Sequence, residues 1–196
     1  MKISHYIKSL KVEKVKTDLL RILFLFIISF IVIIVSLLLL EAIFYFPPKV
    51  KKLTILSVSG LVFLKIIFVI AFLLLVDKEY FDKYSGWSLA RIIGKSIFPN
   101  NKDTALNALQ IENAKNKNQS SELADNFTQT IAKKIERHNP KELIDKKPII
   151  NIKMATSTIM LVSIILLSIF SKQSSNAFYR WKHYDQKFHA PKPFKL

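Results

Sequence analysis

Two long apolar runs joined by a short, basic, proline-bearing turn limit what this chain can fold into more than any other feature. The first, residues 22–46, holds a single charge, Glu41, and neither glycine nor proline. Pro47-Pro48-Lys49-Val50-Lys51-Lys52 follows, and then residues 53–76, again with a single charge, Lys65, near the middle. A bilayer core about 30 Å thick is crossed by roughly 20 apolar residues in a helix, and both runs exceed that. In hydrocarbon only a helix pairs every backbone group within its own segment, so the pattern predicts a transmembrane hairpin of antiparallel helices.

The net charge of +16 invites a nucleic-acid partner, because basic faces attract phosphate. Its distribution argues otherwise. Most of the excess sits in residues 1–21, 47–52 and 171–196, beside apolar runs, where headgroup contact accounts for it. No nucleic-acid partner is expected; the bilayer is. The chain has no cysteine, which excludes disulfides and thiolate chemistry.

Residues 1–21 form a basic N-terminal flank with Lys2, Lys8, Lys11, Lys14, Lys16 and Arg21. A cleavable signal has an apolar region of roughly 7–15 residues. The run here is much longer and no small-x-small site follows, so it reads as an uncleaved anchor. Ser57, Ser59 and Gly60 in the second run are small enough to let another helix approach closely. Residues 77–148 are polar, with helical spacing in three places: Leu89, Ile92, Ile93 and Ile97; Ala105, Leu106, Leu109 and Ile111; Leu123, Phe127, Ile131 and Ile135. Asp103 marks the start of the second helix, Ser121 the N-cap of the third, and Asn139-Pro140 its end. An insert of this size builds only a small core and is expected to lean on the membrane or on a protein partner.

A third span is predicted over 149–170, where Met154–Phe170 is free of charge and Lys153 can snorkel to the headgroups. Its hydroxyls, among them Thr156 and Thr158, can bond across helices or back to their own carbonyls. The tail, 171–196, begins as a short helix through Ala177 to Trp181 and becomes extended around Phe188-His189-Ala190-Pro191-Lys192-Pro193-Phe194. Phe188 and Phe194 find no neighbouring apolar pattern to cover them. The fold class is therefore all-α membrane protein: hairpin, helical insert, third span and extended C-terminal tail. Lys and Arg near the spans set orientation. With the N-terminus inside, the inner flanks carry sixteen and the outer flanks seven, which places the N-terminus and the insert in the cytoplasm.

Lys65 and Glu41 are the intramembrane candidates. Lys65 is read as a snorkelling lysine, with pairing to Glu41 and a transport role as alternatives. The hairpin puts the two at depths about 10 Å apart, at 1.5 Å per residue. His5, His138, His183 and His189 are scattered, and His183, Asp185 and His189 match no standard metal spacing. Asn118-Gln119-Ser120 and Asn126-Phe127-Thr128 fit the glycosylation acceptor, which a cytoplasmic insert leaves unused. No Gly-rich phosphate loop, nucleophile elbow or HExxH pattern occurs, so no catalytic residue, cofactor or metal ligand is assigned.

Ala90-Arg91-Ile92-Ile93-Gly94-Lys95, Phe98-Pro99, Lys102-Asp103, Leu106-Asn107-Ala108-Leu109-Gln110 and Ser121-Glu122-Leu123-Ala124 together resemble the start of a large bacterial membrane-protein family, the domain of unknown function numbered forty-one seventy-five. The tail motif from Phe188 to Phe194 resembles that family's passage out of its third span. The resemblance covers nearly the whole chain and implies a bacterial inner (cytoplasmic) membrane. Members continue into a large extracytoplasmic region, so residues 171–196 are expected to lead into a part missing here. The function expected is a membrane anchor and interaction module, not an enzyme. The alternative is a transporter or channel component acting as an oligomer.

Overall fold

The computed structural model describes residues 2–115 and 122–189. Its helices are α1 (Ile3–Phe44), α2 (Pro48–Asp77), α3 (Gly86–Ile97), α4 (Thr104–Lys115), α5 (Glu122–Glu136), α6 (Lys147–Ile169) and α7 (Ser171–Lys182). Single 3-10 turns stand at Asp82–Tyr84 and Pro140–Glu142, and no strand occurs among the described residues. Ser121, the Asn118 triplet, Pro191, Pro193 and Phe194 lie outside them. The chain divides into two compact units, Met1–Leu20 with Ala71–Ile149, and Arg21–Ile70 with Ile150–Leu196.

The first unit is a small helical domain with its own core. Ile3, Tyr6, Ile7 and Leu10, spaced at one face of a helix, carry the N-terminal arm of α1 into that core. They join Leu89, Ala90, Ile93 and Ile97 of α3, Ala105, Ala108 and Leu109 of α4, and Ile131, Ala132 and Ile135 of α5. The basic flank is thus a structural helix that shares the core of the insert. Glu112 of α4 caps the arm: its Oε2 accepts from the Ile3 N–H at 2.8 Å, and its Oε1 from the Ser4 N–H at 3.2 Å. That places a carboxylate on the donors and the positive dipole end of α1. Tyr6 donates to the His138 carbonyl at 2.8 Å, and burial pushes its hydroxyl up to about 12.

Two local signals act as the sequence indicates, and Ser85, which the sequence reading does not single out, caps α3 by accepting from the Ser88 N–H at its Oγ. Thr104 opens α4 just after Asp103, and the backbone leaves helix before Asn139-Pro140. The stripe of α5 is rotated from the expected one. Thr128, Ile131, Ala132 and Ile135 are buried, whereas Leu123 is 82% and Phe127 39% exposed. Small side chains, not the bulkiest ones, fit where neighbouring helices come close. Ile131→Ala is expected to cost the domain about 2 kcal/mol, while Leu123→Ala stays within about 0.5 kcal/mol. Thermal unfolding followed by Trp87 fluorescence checks this; equal losses would restore the expected stripe.

The second unit contains the long apolar stretches. α1, α2 and α6 are each long and apolar enough to cross a membrane, and their most apolar 18-residue windows are 0%, 6% and 6% buried. α2 starts at Pro48 rather than near residue 53, because proline suits the first helical position, where no N–H is needed. Lys49, Lys51 and Lys52 therefore lie on helix, and the break shrinks to residues 45–47. A Cβ added at Gly60 would meet nothing within 4 Å, so none of the described residues packs closely on it. Thr156 and Thr158 donate back to the carbonyls of Ile152 and Met154, at 2.7 and 3.0 Å. The tail is helical through Lys182 and turns over residues 183–186; most of the stretch expected to be extended lies outside the described residues.

Candidate functional site

The most concentrated chemistry in the second unit is a buried ion cluster built on Glu41. α1 ends three residues after it, and the last four carbonyls of a helix lack partners within that helix. The Glu41 carbonyl finds two, the Tyr45 N–H at 3.2 Å and Arg180 Nη2 at 2.9 Å. The Glu41 side chain also turns back on the break. Its Oε2 accepts from the Phe46 N–H at 3.0 Å. Its Oε1 faces two cations, Lys51 Nζ at 3.0 Å and Arg180 Nε at 3.0 Å.

Each cation has further contacts. Lys51 Nζ also donates to the Arg180 carbonyl at 3.2 Å, one of the unpaired carbonyls in the last turn of α7, where the helix dipole favours positive charge. Arg180 stacks its guanidinium 4.2 Å from the centre of the Tyr45 ring. Tyr45 has φ 50°, a left-handed conformation that a bulky residue adopts only under constraint. The bonds from the Tyr45 and Phe46 N–H groups to Glu41, with the stacking of Arg180 on the Tyr45 ring, supply that constraint. Glu41 and Lys51 are fully buried and Arg180 is 7% exposed. Trp181 Nε1 reaches the Leu37 carbonyl at 3.4 Å, and Phe188 is half-buried with its ring 4.9 Å from Lys51 Nζ and 6.2 Å from the Tyr179 ring. Phe188 thus has neighbours in this chain, contrary to expectation. The cluster offers no open face to a substrate; its chemistry is that of a lock joining the α1–α2 break to α7.

Glu41 and Lys65 are not brought together. Lys65 Nζ donates to Ser29 Oγ and lies 5.1 Å from the centre of the Phe26 ring. Lys51 and Arg180 are the partners that the sequence reading missed. Lys51 stands ten positions past Glu41 across the break, a spacing visible in the sequence but indistinguishable there from ordinary flanking charge. Arg180 is 139 positions away, beyond any local pattern.

A second polar group lies in the first unit. Asp18 Oδ2 accepts from the Tyr84 hydroxyl at 2.6 Å and from Lys83 Nζ at 3.1 Å. Tyr84 is fully buried against Phe72 and Phe81. Burial first, and then the bond to Asp18, push its hydroxyl well above the ordinary tyrosine range. Lys11 and Glu79 pair at 3.3 Å in the open. These contacts tie the arm of α1 to the segment after α2 and hold no reactive geometry.

No family model, curated protein or solved structure matches the chain.

Proposed function

We propose that this chain is a multi-pass membrane anchor and interaction module, with α1, α2 and α6 as its spans and the domain formed by the α1 arm and residues 77–148 in the cytoplasm. The observation that carries the reading is the apolar surface of the three long helices, whose most apolar windows are 6% buried at most. Water does not tolerate apolar faces of that extent, and a bilayer does. The shared core adds support. Ile3, Tyr6, Ile7 and Leu10 pack with residues of α3, α4 and α5, so the N-terminus and the insert belong on the same side of a membrane. That requires an even number of crossings between them, which α1 and α2 supply. The third crossing then delivers α7 to the opposite side from the N-terminus. The larger number of lysines and arginines on the N-terminal side favours the cytoplasm for it.

The bacterial inner membrane rests on the family resemblance. A transporter is the second reading, and Lys65 is its main residue. Its bonding to Ser29 and Phe26 supports a structural role instead.

The absence of cysteine makes a labelling test direct. Gln129→Cys on α5 and Gln186→Cys after α7 are both exposed positions. In intact bacterial cells an impermeant maleimide is expected to label Gln186→Cys, and Gln129→Cys only after permeabilisation. The reverse pattern would invert the orientation. Release of the chain by alkaline carbonate would end the membrane reading.

A further inference from the structure

In the second unit, three cations follow the first apolar turns of α1 with no carboxylate beside them. Arg21 is exposed where the apolar run begins. Lys153 of α6, also exposed, has Nζ 5.8 Å from the centre of the Phe24 ring, one turn further along α1. Lys65 of α2 reaches Ser29 Oγ and the Phe26 ring. Among the described residues, no Asp or Glu lies within ion-pair distance of any of the three.

Their level identifies the missing anion. Counted from residue 46 in the break, Ser29 lies 17 positions back along α1 and Lys65 19 positions along α2, so the two are nearly level. Ser29 is only eight residues from Arg21, about 12 Å at 1.5 Å per residue. The lysine therefore lies in the half of the hairpin nearer Arg21, and that membrane edge is the one a snorkelling side chain would serve. Nor does a second copy supply the counter-charge. Glu41, the single acid in the two hairpin runs, is fully buried with Lys51 and Arg180. An ammonium group in apolar surroundings is costly until an anion joins it, and at a membrane edge the available anion is the lipid phosphate.

We propose that Arg21, Lys153 and Lys65 bind the phosphate of an anionic phospholipid in the leaflet on the side of the N-terminal domain. Arg21 offers a planar fork to two phosphate oxygens, and the two lysines act as point charges at successive depths. Ser29 orients Lys65. This inference rests on the membrane reading above.

The test is native mass spectrometry of the full chain in detergent, titrated with phosphatidylglycerol or phosphatidylcholine. The parent is expected to retain one phosphatidylglycerol in preference. Lys153→Leu should weaken that retention about fivefold, and Lys65→Leu with Lys153→Leu about twenty-five-fold. Lys52→Leu with Lys172→Leu, both at exposed positions of the same unit, should leave it unchanged. Equal retention of the two lipids by the parent would overturn the proposal. So would equal losses in the control pair, or a co-purifying acidic membrane helix that depends on Lys65 and displaces lipid. Should the double variant fail to fold, the parent's headgroup preference and Lys153→Leu alone decide. A carbonate-resistant chain without headgroup preference would sink this inference and leave the membrane reading standing.

Discussion

Glu41→Ala is expected to be among the most damaging single substitutions in the chain, at about 3–5 kcal/mol. The change removes the one carboxylate shared by Lys51 and Arg180, and leaves two buried cations facing each other. It also takes the acceptor from the Phe46 N–H and loosens the break at Tyr45, which holds φ 50°. Removing one cation should cost less, because a neutralised pair remains. Arg180→Lys should still be felt, since lysine loses the fork that bonds both the carboxylate and the carbonyl of Glu41. Trp181 reports the unfolding directly, one residue from Arg180 and bonded to the Leu37 carbonyl. Replacing Glu41, Lys51 and Arg180 together by leucine is expected to recover most of the loss, as apolar replacements of buried ion clusters do. A Glu41→Ala protein as stable as the parent would show that the cluster locks nothing.

This contrast shows what the sequence makes legible. Hydropathy marks the three long helices because their apolar residues act independently of the rest of the chain. It fails at polar helical residues: Lys49, Lys51 and Lys52 look like turn by hydropathy, though Pro48 already begins α2. The arm of α1 is a subtler case. The spacing of Ile3, Tyr6, Ile7 and Leu10 is plain, but six basic residues around it drew the reading toward a headgroup flank. In α5 the largest side chains, Leu123 and Phe127, stood out, while packing selected Thr128 and Ala132. The ion cluster was legible only by halves. Glu41 announces itself as a lone acid in an apolar run, but nothing local names Arg180 as its partner. Lone charges in apolar runs point to partners that only the fold identifies.

Gly94→Ala is the second large effect expected, and it tests the domain rather than the long apolar helices. After Ile97 the chain doubles back: the Phe98 N–H bonds the Gly94 carbonyl at 2.9 Å, and Asn101 and Thr104 close turns onto Phe98 and Asn101 at 3.1 Å each. That return lays the Lys102 carbonyl directly on Gly94, where an added Cβ would overlap its oxygen. The obstacle is backbone, so it cannot swing aside as a side chain would. Relief requires moving the connection from which α4 starts, and with it Ala105 and Ala108 in the core. The expected cost is about 3 kcal/mol, at the upper end of overpacking, or a fall in melting temperature on the order of 15 °C for a domain of this size. Gly60→Ala supplies the control. It sits in a helix with open space around it, so the substitution should be neutral or gain up to about 1 kcal/mol from helix propensity. In a Trp181→Phe background, Trp87 at the start of α3 follows the domain alone. If Gly94→Ala and Gly60→Ala melted alike, the close crossing of α3 by the 98–103 connection would be wrong, and the placement of α4 in the core would fall with it.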